Sequence, residues 1–322
     1  MKQIYDKIHR IELPVPFPLK TTNVYLVDEE PITLIDTGVK TDTSFQVLTD
    51  SLRRLGYGIE DIKRILITHG HLDHYGQAKR ISALSGAEVY IHAEAHQRIQ
   101  SMARFTRHVA SVLLQNGAPK DSVEETLGYM EWAQQWGEPL DDVHFMNEGD
   151  EIRFHNMVLR PIHCPGHSPG LICFYLEARG ILITGDHLLK EISPNPIINP
   201  LPNGAGPRYT SLKKYMDSIR KIADLEVSLV LPGHGEPIRD FNAALQKILN
   251  HHDQRLALVL SILSRAEMTA YDVSRALFPD SKSFEVFLGV SEALGHLSIL
   301  LEEGKISFRL RNGIDYYSIN SV

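Results

Sequence analysis

Short apolar runs and amphipathic stretches alternate from residue 22 to residue 92. TNVYLVD (22–28) and PITLIDTG (31–38) are β-branched runs broken at Glu29–Pro31, the pattern of a hairpin. Thr43 to Leu55 has helical spacing and stops at Gly56. IKRILIT (62–68) reads as a buried strand, Gly76 to Ser85 as a helix closed by Gly86, and AEVYIH (87–92) as the next strand. Residues 93–142 change character. Ile99, Met102, Phe105, Val109, Val112 and Leu113 recur at helical spacing, followed by Val123, Leu127, Met130 and Trp136, so a helical insertion is expected in a β-rich fold. Strands resume at Val143, with 151–164 and 171–186 as paired strands. A Pro-, Asn- and Gly-rich loop covers 192–209, a helix Thr210–Ala223, and a strand 227–235 ending in a sharp turn.

The last stretch has its own pattern. His252–Arg265, Thr269–Leu277 and Phe284–Glu303 read as helices, and 305–319 as a hairpin turning at Asn312–Gly313. Three helices and a hairpin suggest a winged-helix-like domain over 249–322, behind a larger domain over 1–248 whose helical insertion spans about 93–142. Composition adds limits. Hydrophobic residues make up 43% and charged residues 23%, enough for a full core, and the net charge of −7 argues against a polyanion binder. Cys164 and Cys173 cannot form a disulfide framework and read as reduced thiols of a cytoplasmic protein. The segment MKQIYDKIHRIELPVPFP lacks an apolar core, so no signal peptide is expected, and no uninterrupted apolar run approaches the ~18 residues of a membrane span.

The chemistry concentrates in ILITHGHLDHYG (65–76). His69, His71, Asp73 and His74 follow a strand and precede a helix, so they sit on a loop at the strand's C-terminal end, where open α/β sheets bind ligands. Imidazole and carboxylate suit Zn, Fe or Mn. Four ligands this close do not all point comfortably at one ion, but His69 with His71 and Asp73 with His74 can serve two adjacent ions. Further candidates lie at strand ends: His167 in CPGHSPG, Asp186 in ITGDHLL and His234 in LPGHG. Small flanking residues allow close approach of backbone and metal. A lone histidine at a turn is a weak signal. Four such elements in order are a strong one.

HGHLDH, CPGHS, TGDH and PGHG together resemble the metallo-β-lactamase superfamily of metallohydrolases, over roughly residues 10–240. The resemblance implies an α+β fold, a four-layer α/β/β/α sandwich with metals at one edge. It assigns His69, His71 and His167 to a first metal, Asp73, His74 and His234 to a second, and Asp186 to both. The cofactors implied are two divalent ions, zinc first, with iron or manganese compatible. Two ions ~3.5–4 Å apart can share a hydroxide formed at a pKa near ~7, and Asp73 would orient that hydroxide as a hydrogen-bond acceptor.

The centre alone does not choose a substrate. The first reading is an ester, thioester or lactone hydrolase resembling glyoxalase II and the lactonases, with Phe105, Met130, Trp132 or Trp136 as an apolar wall. GEPIRDFNAAL after His234 lacks the basic cluster with which glyoxalase II grips glutathione. The second is a phosphodiesterase or endoribonuclease. Residues 251–322 carry seven Lys/Arg against nine Asp/Glu, and 284–303 holds Glu285, Glu292, Glu302 and Glu303 without a Lys or Arg, which disfavours nucleic acid. The third is a non-enzymatic module, which a complete double ligand set disfavours. The expectation is a hydrolase of a small-molecule substrate, off the membrane, with a homo-oligomer compatible. His187 is a candidate neighbour of Asp186, with a packing role as the alternative. His92, His155 and His163 read as strand residues with structural roles, and His251 and His252 as solvated residues opening a helix. Arg208 and Tyr209 are weaker candidates for substrate contact.

Overall fold

A computed structural model describes residues 2–5, 7–199 and 209–320. Chain order becomes spatial order in the first sheet. It runs β1 (Lys2–Tyr5), β2 (Ile8–Pro14), β3 (Thr21–Val27), β4 (Thr33–Ile35), β5 (Arg64–Leu66), β6 (Glu88–Ile91) and β7 (His144–Phe145). The first four strands pair antiparallel and the last four parallel. The parallel half needs crossovers, which α1 (Asp42–Arg54), the one-turn α2 (Leu72–Tyr75) with α3 (Ala78–Ser85), and the helices after β6 supply. Thr41 caps α1 through Ser44 N (3.1 Å), and Gly86 closes α3 with φ of 73°.

The second sheet has the order β12 (Leu229–Pro232), β11 (Ile181–Gly185), β10 (Ile172–Leu176), β9 (Val158–His163) and β8 (Ile152–Arg153). Only β11 and β12 are parallel, joined across α7 (Ser211–Ile222). Apolar residues of both sheets meet between them: Ile8, Tyr25, Ile35 and Leu66 from one, Phe174, Ile183 and Leu231 from the other. The outer face of the first sheet packs Leu34, Ile65 and Ile67 against Leu48, Leu52 and Ile81. The outer face of the second packs Leu182 and Val230 against Leu212, Tyr215 and Ile219. These are the four layers of an α/β/β/α sandwich.

The insertion and the C-terminal helices share one core. The insertion is α4 (Ala93–Gln100), α5 (Met102–Gln115) and α6 (Lys120–Ala133). The C-terminal unit is α8 (Phe241–Leu263), α9 (Ala270–Leu277) and α10 (Phe284–Glu302), then the hairpin β13 (Ile306–Arg311) and β14 (Ile314–Ile319). Phe105, Val109 and Val123 bury against Phe287, Val290, Leu294 and Leu297. Phe105 and Met130 are therefore core residues, 2% and 7% exposed, and not the substrate wall the sequence suggested. α8 starts at its Asp240 cap and runs through residue 248, so no break in structure falls there. α10 is long and apolar enough to cross a membrane, but 67% of that stretch is buried inside the protein, as in a core helix.

The strands β1 and β2 have no counterpart among the elements expected from the sequence. The charges and prolines of residues 1–18 mask an alternation that buries Ile11 and Leu13 against the helices and Ile8 between the sheets.

Candidate metal centre

Strand ends gather the chemistry on one edge of the sandwich. The parallel strands β4 and β5 bring Asp36 beside Thr68 and His69, with Asp36 N donating to Leu66 O at 2.8 Å. His71 caps α2, and Asp73 and His74 lie on that single turn, so they are helical residues and not loop residues as expected. The turn between β9 and β10 carries His167, the end of β11 carries Asp186, and the end of β12 carries His234.

All seven sequence candidates converge, in two groups. The donor atoms of His69, His71, His167 and Asp186 lie within 4.8 Å of one another, and so do those of Asp73, His74 and His234. His71 Nδ1 is 2.9 Å from His69 Nε2 and 3.0 Å from His167 Nε2. His234 Nε2 is 3.3 Å from Asp73 Oδ2, and His74 Nε2 is 3.6 Å from the same oxygen. Asp186 stands between the groups: Oδ2 is 3.6 Å from His167 Nε2 and 3.4 Å from His234 Nε2, while Oδ1 is 3.4 Å from His74 Nε2.

These residues fit divalent ions. Neighbouring ligands on an ion with bonds of ~2.0–2.2 Å sit roughly 3–3.5 Å apart, as the donors here do. His74 Nε2, His234 Nε2 and Asp186 Oδ1 are buried without a hydrogen bond, the orphaned state that a cation relieves. The far ring nitrogens are held from behind. His74 Nδ1 pairs with Asp36 Oδ2 (2.7 Å), His167 Nδ1 with Asn195 O (2.9 Å), His234 Nδ1 with Thr21 O (2.7 Å) and His69 Nδ1 with Thr68 Oγ1 (3.0 Å). Donation to those carbonyls and to the Asp36 carboxylate fixes Nδ1 as the donor and turns Nε2 to the centre as the atom that can ligate. Gly233 makes room: a Cβ there would lie 2.3 Å from Asp186 Oδ1 and 2.8 Å from His74 Cε1.

Asp36 is the residue the sequence reading misses. Its carboxylate accepts Thr68 N and Thr68 Oγ1, both at 2.8 Å, besides His74. Its φ of 58° is left-handed, which Asp tolerates better than most residues. The available signal is D-T-G directly after an apolar strand, which by itself reads only as a strand end.

The two groups differ electrostatically. Burial, reinforced by neighbouring imidazoles, pushes the His69 and His71 pKa values well down, and burial lowers that of His167. All three are thus neutral, the ligating form. Burial also opposes charge on His74 and His234, but Asp186 and Asp73 outweigh it, taking His234 up to about 10 and His74 well above its ordinary value. Burial would raise Asp73, yet His74 and His234 pull it down to about 2. Without metal, the second group is a cluster of ion pairs whose protons a cation must displace.

Other histidines divide differently from expectation. His252 is fully buried in the middle of α8, its Nδ1 3.2 Å from His296 Nε2 and its Nε2 3.2 Å from Ser193 Oγ, because this face of α8 packs on α10. His251, also inside α8, is partly buried and not solvated at a helix start. His155 sits in a turn, where its N–H donates to Glu30 O, and His92 caps α4; of the three expected strand residues only His163 lies in one. His187 is fully buried edge-on against Tyr215, ring centres 5.3 Å apart. Tyr209 is buried in the helical core, its hydroxyl accepting from Asn116 at 3.2 Å, and Arg208 lies outside the described residues.

A four-layer sandwich with a histidine–aspartate cluster at one edge defines a metal-dependent hydrolase. The sequence profile of the metallo-beta-lactamase superfamily matches residues 18–234, and the chain belongs to that superfamily. It is 31% identical over 310 residues to the probable metallo-hydrolase YqjP of Bacillus subtilis, covering 94% of each chain. A metallo-beta-lactamase family protein from Thermus thermophilus superposes with a TM-score of 0.86 at 29% identity, over 99% of this chain and 100% of that one. An atrochrysone carboxyl ACP thioesterase from Emericella nidulans is 22% identical over 306 residues, 92% of this chain and 79% of that one.

Proposed function

We propose that the chain is a dinuclear hydrolase that cleaves an ester, thioester or lactone. The observation that carries this is the position of Asp186 between two donor groups, within 3.4–3.6 Å of histidines from both. Two divalent ions, zinc first, would supply a nucleophile at neutral pH and polarise the scissile carbonyl. The chain's own residues do the rest. Asp36, Asn195 and Thr21 fix the tautomers that leave Nε2 of His74, His167 and His234 free to ligate. Asp73 is the more exposed carboxylate, 13% against 8% for Asp186, so it is the one that reaches water and orients it as an acceptor.

Two further observations support the carbonyl reading. Trp136 packs edge-on against Trp132 (4.0 Å) and Phe17 (5.2 Å), and its carbonyl abuts Gly76, two residues from His74. An aromatic cluster this close to the ligand-bearing turn would suit an acyl substrate. The relative named as an ACP thioesterase spans nearly the same length of chain. The C-terminal hairpin and α10 carry too little positive charge for a phosphate backbone.

A substrate panel tests the proposal: acyl-glutathione and acyl-coenzyme A thioesters, homoserine lactones, bis-p-nitrophenyl phosphate and single-stranded RNA. Turnover of a member of the first three classes is expected. Turnover of the last two alone would contradict it.

A further inference from the structure

The centre is flanked by a small cavity of about 130 Å³, whose lining includes Arg98, Arg104, Lys214, Glu94, Gly166 and Pro169. Its place follows from α4. Gly70, between His69 and His71, lies so close to this helix that a Cβ would meet Ala95 O at 2.9 Å, and a Cβ on Gly170 would meet Ala95 N at 2.3 Å. The first turn of α4 is therefore clamped between the loop bearing His69 and His71 and the loop bearing His167. Arg98, three residues after Ala95, shares its face of the helix and is close enough to His71 for its charge to depress that imidazole's protonation.

Arg98 is a cation without an anion. Among the described residues its guanidinium touches the Phe105 ring, 3.3 Å from the centroid, and Met102 Sδ at 3.4 Å, and it pairs with no carboxylate. Arg98 is partly buried, and that burial pulls its pKa down to about 9. Glu94, the one carboxylate on the cavity, is about half exposed and lies 3.9 Å from His163. Arg98 and Lys214 both line this cavity, in a chain of net charge −7. A partly desolvated guanidinium gains from an anionic partner, and its planar fork matches carboxylate and phosphate.

We propose that Arg98, with Lys214 on the same cavity, binds an anionic group of the substrate, a carboxylate or a phosphate, beside the metal centre. This rests on the hydrolase reading above and narrows its substrate class to acidic esters and thioesters. Arg98 acts as a specificity residue and takes no part in bond cleavage.

Three acetyl thioesters separate the possibilities: S-acetylglutathione carries carboxylates, acetyl-coenzyme A carries phosphates, and S-acetyl-N-acetylcysteamine is neutral. The wild-type protein, metal-loaded, is expected to favour one charged thioester over the neutral one in kcat/KM, mainly through KM. In Arg98→Gln that ratio falls by roughly tenfold or more, the scale for losing one partner of a desolvated charge pair. Arg98→Lys, which keeps the charge, restores part of it. A ratio unchanged in Arg98→Gln, including equal loss on all three, overturns the proposal. Titration of the same proteins with the thioethers S-ethylglutathione and S-ethyl-coenzyme A reads the site without turnover. If no thioester is cleaved but thioether binding weakens tenfold in Arg98→Gln, the anion site stands and the hydrolase reading falls. Thioether binding that is absent, or equal in wild type and variant, overturns the anion site.

Discussion

Asp36→Asn removes one charge and almost no volume, and the structure predicts a large effect on the second donor group. Asn tolerates the left-handed backbone at this position, φ 58°, so strain is not at issue. Its amide oxygen can keep the bond to Thr68 N that Asp36 Oδ1 now accepts at 2.8 Å. Its NH₂ then replaces Oδ2, facing His74 Nδ1 at 2.7 Å. Two donors cannot share that contact, so in the neutral, ligating ring Nδ1 of His74 becomes the acceptor and the remaining proton sits on Nε2. That is the atom 3.4 Å from Asp186 Oδ1 and 3.6 Å from Asp73 Oδ2. A protonated Nε2 cannot ligate. Losing such a supporting carboxylate costs about 10–100-fold in metal affinity, or about 1.4–2.8 kcal/mol. The assay is zinc competition against a chromophoric chelator at neutral pH, with nitrogen-detected NMR of the imidazoles to read the tautomer. Affinity within twofold of wild type, with His74 still protonated at Nδ1, would refute the reasoning.

Four other outcomes follow. His234 sits at about 10 in the metal-free protein, raised by Asp186 and Asp73 against the cost of burial. A histidine raised above its unfolded value of ~6.5 stabilises the fold below that pH and loses the effect as pH rises through about 10. The melting temperature of the metal-free protein should therefore fall over that window, and metal loading near pH 8 should release at least the proton of His234, measured by calorimetry in buffers of different ionisation enthalpy; release of none would contradict the proton assignment. Gly233→Ala places a Cβ 2.3 Å from Asp186 Oδ1, so the variant should fold yet lose metal by elemental analysis, and full metal content would sink the proposed crowding. Phe287→Ala opens a hole in the core shared by α5 and α10 and should cost about 3–5 kcal/mol, with amide exchange in both helices quickening together; quickening in α10 alone would show two separate cores.

The parts of the site legible in the sequence are those whose chemistry is local. His69, His71, Asp73 and His74 announce themselves by crowding, and His167, Asp186 and His234 by standing after apolar strands beside glycine. Asp36 is hidden because its role is defined by a neighbour brought in across a parallel strand pair, which no local pattern encodes. Arg98 is hidden for the same reason: on a helical insertion one arginine looks like any solvated charge until α4 is seen clamped against both ligand loops. Periodicity finds the helices of the insertion and the C-terminal unit, but not that their apolar faces seek each other. The β2 strand escapes because prolines and charges at its ends outweigh its short alternation. His252 reads as solvated because the Asp240 cap, which starts α8 well before it, gives too faint a signal.

The central claim is that two ions share Asp186. Elemental analysis of the protein purified without added metal, paired with turnover of the thioester panel, tests it most directly. Close to two ions per chain, with both ions and turnover lost together in Asp186→Ala, is the predicted result. Full turnover with less than one ion per chain, or an Asp186→Ala protein that hydrolyses normally, would contradict it.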